Sequence, residues 1–151
     1  MRIVVDDLSG PEIADFLNDH VDQMRSITPI EAAYALDLDG LRRPEITFWS
    51  VWDEDRLVGC GAIKQLDAGH AELKSMRTAP ARRRSGIGAL LLTHIIGESQ
   101  RLGFARLSLE TGSDEFFQPA RSLYERFGFA YCEPFGDYRP DQLSVFLTRT
   151  L

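Results

Sequence analysis

Residues 82 to 89 read Arg-Arg-Arg-Ser-Gly-Ile-Gly-Ala and stand between a strand-like run and a long apolar helical pattern. A glycine-bearing turn that opens a helix leaves several backbone N–H groups without intrahelical partners, and the positive end of the helix dipole adds to them. The result is an anion cradle. Arg82, Arg83 and Arg84 at its lip add charge-assisted donors suited to phosphate. The predicted chemistry is phosphate binding, and pyrophosphate binding above all. A dinucleotide fingerprint needs a third glycine three residues after Gly88, where Leu91 stands, and an early strand-turn-helix unit rather than one past mid-chain. A nucleoside-triphosphate loop needs Gly-Lys-Ser/Thr, and no Lys or Ser/Thr directly follows Gly88. What remains is Arg83-x-x-Gly86-x-Gly88, a pattern that a plain tight turn at a helix start also produces.

The elements around this turn must position it. Arg2 to Val5 is a short strand. Ser9-Gly10-Pro11-Glu12 has a cap-like serine, an early proline and a glutamate three residues on, which predicts a helix with Ile13, Phe16 and Leu17 on its apolar stripe. Thr28-Pro29-Ile30-Glu31 repeats the signal for a second helix through about Leu36. Asp37 to Pro44 reads as a loop. Ile46 to Trp52, Arg56 to Lys64 and Ala71 to Thr78 then form an antiparallel meander. From Ile87 the residues Ile87, Leu90, Leu91, Ile95 and Leu102 keep helical spacing, and Gly103 closes that helix. Ala105 to Glu110 is a strand that a helix crossover makes parallel to the one before the turn. Pro119 to Phe127 is a second amphipathic helix, followed by strands at Phe129 to Cys132 and Leu143 to Thr148. The sum is an α/β fold: a mixed sheet of six to seven strands, antiparallel first and parallel at the turn, with helices on both faces. The cradle lies at the carboxyl end of a strand, where open α/β sheets hold ligands.

Composition narrows the class. A chain of 151 residues, 44% apolar and 26% charged, is expected to form one domain, residues 1–151, with a real core. No run approaches the roughly 18 apolar residues of a membrane span, and the N-terminus is too acidic for a signal peptide. Cys60 and Cys132 make no disulfide framework, so a cytoplasmic protein is the expectation. A net charge of −6 argues against nucleic acid as a partner and mildly favours cationic ones. His20, His70 and His94 show no ligand spacing, which predicts no metal.

With these elements in place the chain resembles the GNAT superfamily of acetyl-coenzyme-A-dependent N-acetyltransferases. Arg83, Gly86 and Gly88 match the family's Arg/Gln-x-x-Gly-x-Gly/Ala pattern. Leu123-Tyr124-Glu125-Arg126-Phe127-Gly128-Phe129 is similar to its Leu-Tyr-x-x-x-Gly-Phe ending. The segments from Glu72 to Thr78, Leu109 to Ser113 and Pro134 to Tyr138 also look like a bacterial acetyltransferase subgroup. The resemblance implies a GNAT fold, acetyl-CoA as co-substrate, and an acceptor that is a primary amine on a small molecule or a peptide. It implies a diphosphate held by main-chain amides from about Arg84 to Ala89, through Ser85, Gly86, Ile87 and Gly88, with Arg82, Arg83 and Arg84 reaching the phosphates. Glycines 86 and 88 lack a Cβ, so phosphates could approach the backbone. The pantetheine arm would pair like a strand with Met76, Arg77 and Thr78. Dimers are common in the superfamily, so a homodimer is an expectation of the same kind.

Acetyl transfer needs a proton taken from the ammonium, an oxyanion stabilised and a thiolate protonated. Tyr124 occupies the family's tyrosine near the departing sulfur, and a phenol with an ordinary pKa of about 10 is protonated at neutral pH. The alternative is a core tyrosine. Glu72 stands where some members keep a catalytic glutamate. Strand alternation predicts Glu72, Lys74 and Met76 on one face, and a half-buried carboxylate there could take a proton through water. The alternative is a Glu72–Lys74 surface pair. Glu110 is the second candidate base. The family often has an asparagine three residues before the position of Ala120. Phe117 stands there, so Ser113 or Gln118 would have to replace its contact. Cys132 reads as a small core residue. The loop Pro134 to Arg139 either lines the acceptor pocket or merely connects two strands. Arg42, Arg43 and Arg139 would permit an acceptor with a carboxylate, against the pull of the acidic total. A non-catalytic acyl-CoA-binding or regulatory module, and a protein-interaction domain, are the competing readings of the same fold.

Overall fold

The computed structural model describes residues 1–27 and 38–151. The helix expected from Thr28 to Leu36 lies outside the described residues. Seven strands form one sheet: β1 (Arg2–Val5), β2 (Ile46–Asp53), β3 (Arg56–Gln65), β4 (His70–Thr78), β5 (Arg106–Gly112), β6 (Ala130–Cys132) and β7 (Ser144–Thr150), in the order β1-β2-β3-β4-β5-β7-β6. All neighbours are antiparallel except β4 and β5. The helices are α1 (Pro11–Ile27), a four-residue α2 (Leu38–Leu41) in the segment read as a loop, α3 (Ile87–Arg101) and α4 (Gln118–Arg126). The cap-like Ser9 turns its hydroxyl to Asp7 instead, 2.6 Å from Oδ1. Among the described residues no helix is long and apolar enough to cross a membrane.

Two apolar clusters flank the sheet, because alternate strand residues feed opposite faces. Trp49, Val51, Leu73, Leu107 and Leu109 meet Leu91, Leu92 and Ile95 of α3 on one side. Phe48, Cys60 and Ala62 meet Ile13 and Leu17 of α1 on the other. The parallel crossover through α3 makes β4 and β5 neighbours, yet their ladder covers only His70–Leu73 against Arg106–Leu109. Beyond Leu73 and Leu109 each strand runs on, and their facing edges carry no ladder partner among the described residues.

A β-bulge interrupts β4 at this point. Cys60 pairs with Arg77 and Ala62 with Lys74, so Gly61 alone faces both Ser75 and Met76. Ser75 takes φ 56°, the left-handed region. The extra residue inverts the alternation downstream. Glu72 and Lys74 do share a face, but Met76 turns to the other side and packs with the α3 cluster. Arg77 turns toward α1. The expected common face of Glu72, Lys74 and Met76 therefore ends at Lys74, because a strict period of two does not survive an inserted residue.

Candidate active site

The turn after β4 leaves main-chain N–H groups at the start of a helix. A short 3-10 turn, Pro80–Arg82, leads to Arg84 at φ 63° and Gly86 at φ 86°, and α3 starts at Ile87. After the bond from Arg82 N–H to the Ala79 carbonyl, 2.8 Å, the next runs from Leu90 N–H to the Gly86 carbonyl, 3.0 Å. The N–H groups of Ile87, Gly88 and Ala89 precede it and have no intrahelical acceptor. The Ser85 hydroxyl donates to the Arg82 carbonyl and closes the turn. Gly86 faces open space, so its requirement is its φ. Gly88 has a different one: a Cβ there would lie 3.2 Å from Leu123 of α4. Its missing side chain lets α4 approach α3.

The three arginines are not equivalent. Arg82 is committed to Asp53, 2.7 Å away, and that hydrogen bond holds the Asp53 carboxyl below the usual carboxylate range. Arg83 donates to Oε1 of Gln23 on α1, 3.3 Å, and lies over the Phe116 ring. Arg84 is exposed and makes no hydrogen bond or ion pair among the described residues. Below the turn, Met76, Arg77 and Thr78 form the free edge of β4 that faces away from β3.

On the sheet face opposite α3, Glu72 is only 4% exposed. Its Oε2 accepts the Tyr138 hydroxyl and, at 3.2 Å, the Lys74 ammonium, which also lies 3.1 Å from the Tyr138 oxygen. The Glu72–Lys74 pair exists, but it is buried rather than at the surface. Glu110 occupies the same face two residues along β5 from Ser108, which pairs with Glu72 in register. The Oε2 of Glu110 is buried with no hydrogen-bond partner among the described residues. Across β7 it faces Phe146, whose ring touches Phe135 and Tyr138 of the loop after β6. That loop thus brings aromatic side chains onto the carboxylate face, more than a hairpin connection requires.

Tyr124 is buried in the α3 cluster, its ring edge-on to Phe129 at 5.8 Å. Ala120 packs on the same cluster. Ser113 donates to the Gln142 carbonyl, 2.7 Å, and Gln118 bonds Ser122 and Arg121. Both are engaged within the protein, and Phe117 is buried against Gly112. Burial pushes both cysteine thiols up, Cys60 to about 12. Arg42 donates to the Leu8 carbonyl, 2.7 Å, so it serves the fold.

Sequence reasoning missed several participants. Arg121, nearly buried, donates to the carbonyls of Gly112 (2.6 Å) and Asp114 (2.9 Å) and pins the β5–α4 connection. Its position one turn before Tyr124 on the inward helix face was a usable signal. Nothing in the one-dimensional pattern linked Tyr138 to Glu72, or His20 and Gln23 to Arg77.

With this geometry established, residues 13–129 match the Acetyltransferase (GNAT) family. The chain belongs to the GNAT acetyltransferase family. It is 52% identical over 151 residues to the uncharacterized N-acetyltransferase YsnE of Bacillus subtilis, with 100% of each chain covered. It is 48% identical over 149 residues to the uncharacterized N-acetyltransferase YedL of Escherichia coli, covering 99% of this chain and 94% of that one. An aminoglycoside 6'-N-acetyltransferase crystallised with coenzyme A superposes with a TM-score of 0.73 at 19% identity, over 99% of this chain and 97% of that one. The chain is thus an acyltransferase with the GNAT sheet, and the open edge between β4 and β5 lies within the matched segment.

Proposed function

We propose that this GNAT chain moves an acetyl group from acetyl-CoA to a primary amine by direct attack in a ternary complex. The carrying observation is the junction of two features: the parting of β4 from β5 after Leu73 and Leu109, and the N–H cradle at Gly86 where β4 ends. A diphosphate fits the cradle, with Arg84 as the cation left to meet it. An amide-rich arm fits the unladdered edge of Met76 to Thr78. Acetyl-CoA, when bound, supplies an activated acyl carbon.

The chain's own groups divide the proton work. Glu72 already accepts two donors at one oxygen, so a new proton would have to displace Tyr138 or Lys74. Glu110 has a buried oxygen with no donor. Glu110 is therefore the base that takes a proton from the acceptor ammonium, through water, and Glu72 orders Lys74 and Tyr138 around it. The free amine nitrogen then bonds to the acyl carbon as the carbon–sulfur bond breaks, Tyr124 gives its proton to the departing sulfur, and the second proton, lost by the newly acylated nitrogen, restores the phenol through water. Free N–H groups on the exposed edge of β4 are the donors at hand for the developing oxyanion. Free-thiol release measured over a panel of amines tests the reading. Tyr124→Phe is expected to cut turnover about tenfold or more, and Glu110→Gln to remove the acid limb of the pH–rate profile while Glu72→Gln leaves that limb in place. Full turnover in Tyr124→Phe, or an unaltered limb in Glu110→Gln, would reject those roles.

A further inference from the structure

Arg77 and Arg83 take part in no ion pair among the described residues. The Nη1 of Arg77 lies 3.1 Å from Nδ1 of His20 and 3.1 Å from Oε1 of Gln23, both on α1. Its guanidinium sits 5.1 Å from the Phe16 ring centroid. Arg83 donates to the same Gln23 oxygen and stacks over Phe116 at 5.4 Å. Every one of these partners is neutral. Neither guanidinium forms an ion pair among the described residues, although Arg25, Arg42, Arg82 and Arg101 each do. The Nε of Arg77 is buried without a hydrogen-bond partner among the described residues. Burial pushes Arg77 below its ordinary value and the charge of Arg83 adds to the fall, while Cys60 and the Asp19 carboxylate of α1 oppose it only in part. His20 cannot be the counter-charge, since burial and the two arginines push it down to about 4 and keep it neutral.

The half-buried Arg77 and the exposed Arg83 share one amide oxygen and repel each other, and no carboxylate among the described residues pairs with either, Asp19 acting on Arg77 only from a distance. A planar fork held this way matches a carboxylate or a phosphate in geometry. Its position distinguishes the two. Past the bulge, Arg77 points to the α1 side, the face that also presents Glu72, Lys74, Glu110 and Tyr138. The cradle, by contrast, opens at the N-terminus of α3, on the other face. Arg77 stands three residues from Lys74 along β4, ~7–10 Å of extended chain, which is the span of a small bifunctional molecule.

Resting on the transferase reading above, we infer that Arg77, with Arg83 beside it, receives an anionic group of the acceptor, a carboxylate, so that the acceptor class is amines that also carry a carboxylate. The same chemistry could instead serve a phosphate of the donor, and the test separates the two sources. Amino acids and their carboxamides, matched in every atom but the anionic group, are compared by thiol release with saturating acetyl-CoA. The expected result is a kcat/KM preference for the carboxylates of about tenfold or more, the scale of one charge-assisted contact. In Arg77→Gln that ratio falls toward one through the acceptor KM, and Arg77→Lys, which keeps charge but loses the fork, falls between. Thermal melting reports whether Arg77→Gln folds; should it not, Arg83→Gln at an exposed position carries the same ratio test. A wild-type ratio near one overturns the inference and leaves the transferase reading intact. So does an Arg77→Gln defect confined to the acetyl-CoA KM, which would assign the pair to the donor. Absence of thiol release with any amine overturns both readings together.

Discussion

Acid should weaken this fold through one histidine. His20 sits on α1 with Nδ1 against the Arg77 guanidinium, so its lone pair is an acceptor and must stay unprotonated there. Burial, then the charges of Arg77 and Arg83, push its pKa from 6.5 down to about 4. A depressed base is protonated more readily in the unfolded chain than in the native one between those values. Its contribution is therefore complete above the unfolded value of 6.5 and is lost as pH falls toward the folded value of about 4. Linkage over that window gives ~2 kcal/mol lost between about pH 7.5 and about pH 5, and ~3 kcal/mol once both states are protonated. For a chain of this size, ~2 kcal/mol corresponds to a melting-point fall of roughly 4–8 °C. His20→Asn, which offers an oxygen near the place of Nδ1 and does not titrate, isolates the effect. Chemical denaturation of both proteins across this range should give curves that converge or cross on the acid side, because general acid destabilisation cancels in the difference. Parallel curves would refute the argument and return His20 to the status of an ordinary solvated imidazole.

Two further outcomes are expected. Tyr138→Phe leaves Glu72 with Lys74 as its one remaining donor and releases the loop after β6, at about 1–2 kcal/mol in urea denaturation; a loss below a few tenths would mean that the hydrogen bond to Glu72 contributes nothing. Arg84→Gln should raise the acetyl-CoA KM several-fold, whereas Arg82→Gln, already spent on Asp53, should raise it far less; the opposite ranking would show that the Asp53 pair opens on binding.

Much of the architecture was legible because it rests on local signals. Gly86 and Gly103 both have positive φ at the ends of α3, and the apolar spacing from Ile87 predicted the face that enters the core. The crossover from β4 through α3 to β5 followed from chain handedness. Contacts between distant segments were not legible. Arg82, Arg83 and Arg84 read as one basic run, yet Asp53, Phe116 and Gln23 divide their roles from three separate elements. That a Cβ at Gly88 would press on Leu123 was not legible either, since Leu123 lies 35 residues away in sequence. The pair of Glu72 and Lys74 was visible in alternation, but its depth was set by Tyr138, which a loop supplies.

The bulge at Ser75 joins these observations. Were Ser75 to pair as a regular strand residue instead, alternation would place Met76 on the face of Lys74 and send Arg77 into the apolar cluster under α3, where an unpaired guanidinium would be prohibitive. With the bulge, Met76 fills the space over Gly61 and Arg77 emerges toward α1. A non-glycine residue at φ 56° costs of order 1 kcal/mol. Two consequences offset that strain: Met76 packs beneath α3, and a cation is delivered to the carboxylate face. The bulge also lies just beyond the last rung between β4 and β5, so the strand turns over where its edge becomes free. Two guanidiniums thus stand at that edge toward α1, although the chain as a whole carries −6. For a small acceptor within a few ångströms of these groups, the near charges outweigh the distant, screened ones, and the acidic total is a poor guide to what binds.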